Sequence, residues 1–133
     1  MHPGGPYWEN KNEGAWTVPK GVVAANEDPF AAARREFKEE TGFDVDGQFR
    51  DLGMFLQPGG KRLHVWALEG DCDPLRLVSD TFDLVWPPKS GRIQQFPEID
   101  RGAWFKSDVA LVQILQGQRP FLQKVFAETT PPA

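Results

Sequence analysis

Residues 28–42, DPFAAARREFKEETG, admit few conformations. Asp28 is a good helix cap. Pro29 at the first helical position gives up an N–H that has no partner there, and Gly42 suits the left-handed residue that ends a helix. Nothing between them breaks the pattern, so the spacing predicts one helix from Pro29 to about Thr41. Phe30, Ala33 and Phe37 form an apolar stripe on it. Glu36, Glu39 and Glu40, at i, i+3 and i+4, share a different face behind Arg34 and Arg35, with Lys38 turned away. Like charges that close repel. Two explanations stand. One is a solvated acidic face paired to the two arginines. The other is a set of carboxylates converging on a divalent cation, where Mg²⁺ or Mn²⁺ prefers hard oxygen ligands.

Around this helix the chain alternates element types. AWTVP (15–19) reads as a short strand closed by Pro19. FRDLGMFLQ and KRLHVWALEG flank PGG (58–60), a hairpin signal. TFDLVW (81–86) alternates as a strand should, and GAWF (102–105) reads as another. Ser107 is placed to cap a helix through DVALVQILQ. Gly117 and Pro120 interrupt it before a second helical piece, RPFLQKVFAE, and the TTPPA tail reads as frayed. The opening MHPGGPYWENKNEG reads as loop. An α/β fold in one domain over residues 1–133 is the expectation, with no internal repeat.

The 133 residues are 40% apolar and 26% charged, enough for a real core. The net charge of −4 and pI near 5.1 argue against a general nucleic-acid or membrane-surface binder. Any phosphate-bearing ligand must then be met by a local basic patch or by metal ions. The lone cysteine, Cys72, has no internal partner and nothing nearby to activate it. No membrane span or signal peptide is visible, so the expected location is the cytoplasm.

The wider spacing decides between the two explanations for the glutamates. Gly21 is followed by five residues, Glu27, seven residues, then Arg35-Glu36-Phe37-Lys38-Glu39-Glu40-Thr41-Gly42-Phe43. This meets G-x5-E-x7-R-E-U-x-E-E-x-G-U, with U apolar, at every defined position, a match expected by chance on the order of 10⁻⁹ at a given start. The sequence resembles the Nudix hydrolases, whose box this is, at residues 21–43. WTVPKG before the box, and WPPKSGR and FPEIDRGAWF after it, extend the resemblance to members acting on dinucleoside polyphosphates and nucleoside triphosphates.

The resemblance implies an α/β/α sandwich around a mixed sheet, and hydrolysis of a nucleoside diphosphate linked to another moiety with Mg²⁺ or Mn²⁺. By position, Glu36, Glu39, Glu40 and the Gly21 carbonyl would hold metal. Glu40 is also a candidate base. Arg35 would pair with Glu27 or Glu36. The subgroup usually opens with a strand before HPGGP, whereas here HPGGP follows Met1 at once. The expectation is an unpaired sheet edge that either destabilises the chain or pairs with a second copy.

Outside the box, Lys20 adjoins Gly21 within reach of a phosphate. Lys89 and Arg92 flank Ser90-Gly91 in a plausible phosphate clamp, and Lys61 and Arg62 sit at a hairpin tip. Glu98, with Asp100 near it, is a second candidate base on a late loop. Trp8 and Trp16 are candidates to stack on a nucleobase, while Trp66, Trp86, Trp104 and His64 read as structural. The expected ligand is a small-molecule nucleotide. The alternative is a non-catalytic nucleotide-binding or regulatory module, against which the intact box residues argue.

Overall fold

The helix is where its caps put it. In the computed structural model, which describes residues 1–129, helix α1 covers Pro29–Thr41, with Asp28 accepting from the Ala31 N–H. Gly42 sits at φ 79° and donates its N–H to the Lys38 carbonyl. A Cβ there would also press on the Val78 carbonyl, so the glycine answers to both backbone and space. Phe30 carries the apolar stripe into the core, meeting the rings of Phe49 at 4.8 Å and Trp66 at 5.5 Å.

The strands are β1 (His2–Pro3), β2 (Phe49–Leu56), β3 (Arg62–Leu68), β4 (Thr81–Val85), β5 (Ile93–Pro97) and β6 (Ile99–Arg101). They pair antiparallel, β1 with β6, β2 with β3, and β4 with β5. The β2–β3 hairpin is the one announced by PGG, running from Phe49↔Leu68 to Leu56↔Arg62 with a bulge near Gly53. Helices α2 (Ser107–Gln113) and α3 (Arg119–Thr129) close the described chain. α3 lies on β2, with Phe121 against Phe55 and the Lys124 ammonium on the Leu52 carbonyl. Leu52, Phe121, Ile99, Ile114, Ala15, Trp16 and Ala32 form the buried centre.

The α/β character stands, but the expected mixed sheet is divided among these pairs. Its parallel component is a single bridge, Trp16↔Ile114, in place of the AWTVP strand. GAWF is not a strand either. The pairing falls three residues earlier, on β6, because Ile99 and Arg101 face the first residues of the chain. Ser107 lies inside α2, whose cap position is Lys106 and carries no side-chain cap bond. α2 stops at Gln113 because Ile114 turns extended to meet Trp16. The first residues are not loose loop. Thr17 donates to the Met1 carbonyl, and Gly4 donates to the Glu98 carbonyl. Of the tail TTPPA, residues 130–133 lie outside the described residues.

Candidate active site

Arg35 organises the acidic face of α1. Its Nε and Nη2 grip the Glu27 carboxylate at 2.9 and 3.0 Å. Its Nη1 reaches Glu36 at 3.0 Å and Glu39 at 3.1 Å, and Nη2 also donates to the Val22 carbonyl. One guanidinium thus ties the loop before α1 to two of the three clustered glutamates. The pairing holds Glu27 at about 2, and raises Arg35 further above its ordinary value. Of the two partners expected for Arg35, both are present, and Glu39 joins them.

Glu40 is set differently. It is 8% exposed and accepts from the Lys20 backbone N–H at 3.0 Å. Burial pushes its pKa up to about 7, with the Glu36 and Glu98 charges adding to the rise and Lys20 opposing it. Glu98 approaches from the far end of the sequence. Burial raises it, and Asp80, Glu36 and Glu39 raise it further. Carboxylates from residues 36–40, 80 and 98 therefore feel one another's charge.

Of these, Glu40 and Glu98 border a cleft of about 310 Å³, where with Lys20 they face Trp8, Pro3 and Ile99. Gly21 lies directly under the cluster. A Cβ there would overlap the Glu36 carboxyl group, which would have to move aside. Among the described residues, no three His, Cys, Asp or Glu side chains are drawn tightly enough together to hold a metal ion. The donors nonetheless suit one. They are hard oxygens, they repel one another, and the Gly21 backbone passes beside Glu36. Glu36 and Glu39 meanwhile share the single charge of Arg35 with Glu27, so net negative charge remains.

The structure thus gathers Lys20, Gly21, Arg35, Glu36, Glu39, Glu40 and Glu98. It does not gather all the candidates. Trp16 is a correction: it is 5% exposed, with the His2 and Phe105 rings edge-on at 5.2 and 4.8 Å and Arg101 over its face. Its indole N–H is taken by Asn12. A ring enclosed this way has no face for a base, whereas Trp8 is half-buried in the cleft wall with the Lys11 ammonium 5.1 Å from its ring centroid. Lys89 and Arg92 stand exposed in the turn between β4 and β5, outside the cleft lining. Lys61 and Arg62 are likewise exposed. His64 bonds Asp51 at 2.7 Å and stacks on Trp66, the structural role expected of it. Burial and the neighbouring Asp71 and Asp73 raise the Cys72 thiol, which disfavours the thiolate.

Two contributors escaped the sequence reading. His2 is fully buried, with Nδ1 at 2.9 Å from Asp100 and Nε2 at 2.6 Å from the Lys11 carbonyl. Asp80 lies between α1 and the Glu98 segment. Neither sits in a pattern of period or spacing, and only the HPGG stretch hinted at a close approach. A Cβ on Gly4 would overlap the Pro97 carbonyl. A more open depression of about 350 Å³ lies beyond Arg35, but its cations are engaged, Lys38 by Asp44 and Arg34 by the Val45 carbonyl.

Comparison with known proteins agrees with this arrangement. A family model described as NUDIX domain matches residues 5–125. A stretch of 44 residues is 50% identical to Nudix hydrolase 10 of Arabidopsis thaliana, spanning 33% of this chain and 15% of that protein. No solved structure matches.

Proposed function

The chain belongs to the NUDIX family, and from that premise we propose that it is a metal-dependent pyrophosphohydrolase acting on a small nucleotide. The observation that carries this is the meeting of Lys20, Glu40 and Glu98 across one cleft, beside the Arg35-bound pair Glu36 and Glu39. Glu36, Glu39, Glu40 and the Gly21 carbonyl would hold Mg²⁺ or Mn²⁺. Such an ion, when bound, screens the phosphate charges and acidifies a coordinated water. Glu27, held by Nε and Nη2, would keep the Arg35 guanidinium in place if Glu36 and Glu39 turned to an ion. Lys20 sits where a phosphate oxygen entering the cleft meets its ammonium. Trp8 offers a ring to a nucleobase.

Proton acceptance from the attacking water is assigned to Glu98 ahead of Glu40. Glu40 is shut in and has one oxygen engaged by the Lys20 amide, whereas Glu98 is open to solvent at the cleft. Its raised pKa brings it nearer the working range of a general base. Lys89 and Arg92 would meet the outer end of a long substrate, since Trp86 beside that turn packs edge-on against Tyr7, the neighbour of Trp8. Nucleoside triphosphates and dinucleoside polyphosphates are the substrate classes favoured. A cytoplasmic location, with residues 1–133 forming one domain, is part of this reading. No described helix is long and apolar enough to cross a membrane.

The test is hydrolysis of nucleoside triphosphates, dinucleoside polyphosphates, ADP-ribose and sugar nucleotides in Mg²⁺ and in Mn²⁺, beside Glu39→Gln. Turnover lost in the variant is the expected result. Folded protein that binds these compounds and turns none over would instead establish the non-catalytic module.

A further inference from the structure

Glu98 reaches the cleft on a segment held from both sides. On one side, Gly4 donates to its carbonyl, and β1 pairs with β6. On the other, the Glu98 N–H donates to the Asp80 carbonyl. Residues 78–80 are themselves laid along the end of α1. Val78 donates to the Thr41 carbonyl at 2.9 Å, and Asp80 donates to the Glu39 carbonyl at 2.8 Å. Between these two backbone bonds stands Ser79, whose side chain faces the other way. Its Oγ accepts from the Ile99 N–H at 3.1 Å and lies 2.9 Å from the Ile99 carbonyl. The Asp80 carbonyl is also 2.9 Å away, so the hydroxyl proton has an acceptor in either rotamer.

We propose that Ser79 is a positioning residue that sets the distance between the metal-binding helix and Glu98. The proposal rests on the hydrolase reading above. The argument is mechanical. Glu98 is separated in sequence from the box, so nothing local fixes where its carboxylate stands relative to Glu36, Glu39 and Glu40. The connection runs through one short strip, with its backbone on α1 and its one side-chain hydroxyl on Ile99. Ile99 is 6% exposed and lines the cleft beside Glu98. The remaining tie on that side, Glu98 N–H to Asp80, is a single bond about which the segment can pivot. Ser79 turns it into a two-residue clamp. A small displacement of a reacting group is costly in rate, since catalysis depends on near-contact geometry.

Because the hydroxyl faces Ile99, its removal leaves the Thr41 and Glu39 bonds and the α1 carboxylates untouched. Ser79→Ala is therefore expected to lower kcat by about 10- to 100-fold. KM, and the dissociation constant for Mn²⁺ measured by calorimetry without substrate, should stay within about twofold of wild type. Ser79→Thr, which keeps the hydroxyl, should restore kcat. Amide hydrogen exchange at Ile99 should quicken in Ser79→Ala and not in Ser79→Thr.

A Ser79→Ala enzyme with wild-type kcat overturns the proposal. So does an unchanged Ile99 exchange rate, or a loss of Mn²⁺ affinity that parallels the loss of kcat. Wild-type protein inert toward every nucleoside triphosphate and dinucleoside tetraphosphate tried is a separate failure, because it removes the hydrolase reading itself.

Discussion

Gly21 and Glu40 are single residues whose surroundings make the proposed chemistry testable. Gly21→Ala would drive a methyl group into the Glu36 carboxyl group. The expected outcome is a loss of Mn²⁺ affinity of about tenfold or more with little change in melting temperature, since the loop is exposed and the helix caps are intact. Calorimetric titration beside thermal unfolding checks it. Glu40 makes a pH prediction. Its pKa is raised from 4.5 to about 7 on folding, so between these values the folded chain keeps a proton that the unfolded chain has lost. Without metal, stability contributed by this residue falls as pH rises through that window. Glu40→Gln keeps an oxygen for the Lys20 amide and removes the charge. In chelator it should gain about 1–2 kcal/mol at pH 7.5, after discounting for screening, and lose the dependence between pH 5 and 7. Denaturant unfolding across that range is the measurement. At this scale the box residues were legible as types and positions, because their spacing is local. The enclosure of Trp16 was not, because His2, Phe105 and Arg101 reach it from remote parts of the chain.

Elements were readable where their signals are local. α1 carries its start and stop within itself, and the β2–β3 hairpin carries its turn. AWTVP and GAWF had strand-like composition but found no ladder of their own, and β5 and β6 arose where partners were available. Helix α1 also has a function beyond carrying glutamates, since its end is the ledge on which residues 78–80 lie. Gly42→Ala tests that ledge. The substitution puts a side chain at φ 79° and against the Val78 carbonyl. A cost of about 1–2 kcal/mol or more in unfolding free energy is expected, with faster amide exchange at Val78 and Asp80. Unchanged stability would mean that the turn relaxes without the glycine.

At the scale of the whole molecule, metal binding and folding are linked. An ion taken by the folded chain alone raises its stability by about 2.7 kcal/mol at a hundredfold excess over the dissociation constant. Mn²⁺ should therefore raise the melting temperature of the wild type and leave that of Glu36→Gln nearly unchanged. Assembly is the second question at this scale. Each described strand pairs with one other, so every pair presents open edges. Exposed Met54 and Leu56 lie on β2, and Val85 and Ile93 face each other across β4–β5. The expectation of a second copy at such an edge is checked by light scattering. A species of twice the 15.0 kDa chain mass supports it, and a monomer at high concentration rejects it.

By itself, the sequence determined the helix, its caps, the hairpin and the identity of the charged groups on one helical face. These depend on contacts within a few residues, where propensity, capping and periodicity act. Tertiary structure alone decided that Glu98 and Asp80 approach that face, that Trp8 shares a cleft with Glu40, that Trp16 is enclosed, and that HPGG and Ser79 hold the late loop. Those depend on which distant backbone groups satisfy one another's hydrogen bonds, and no spacing rule encodes such a pairing.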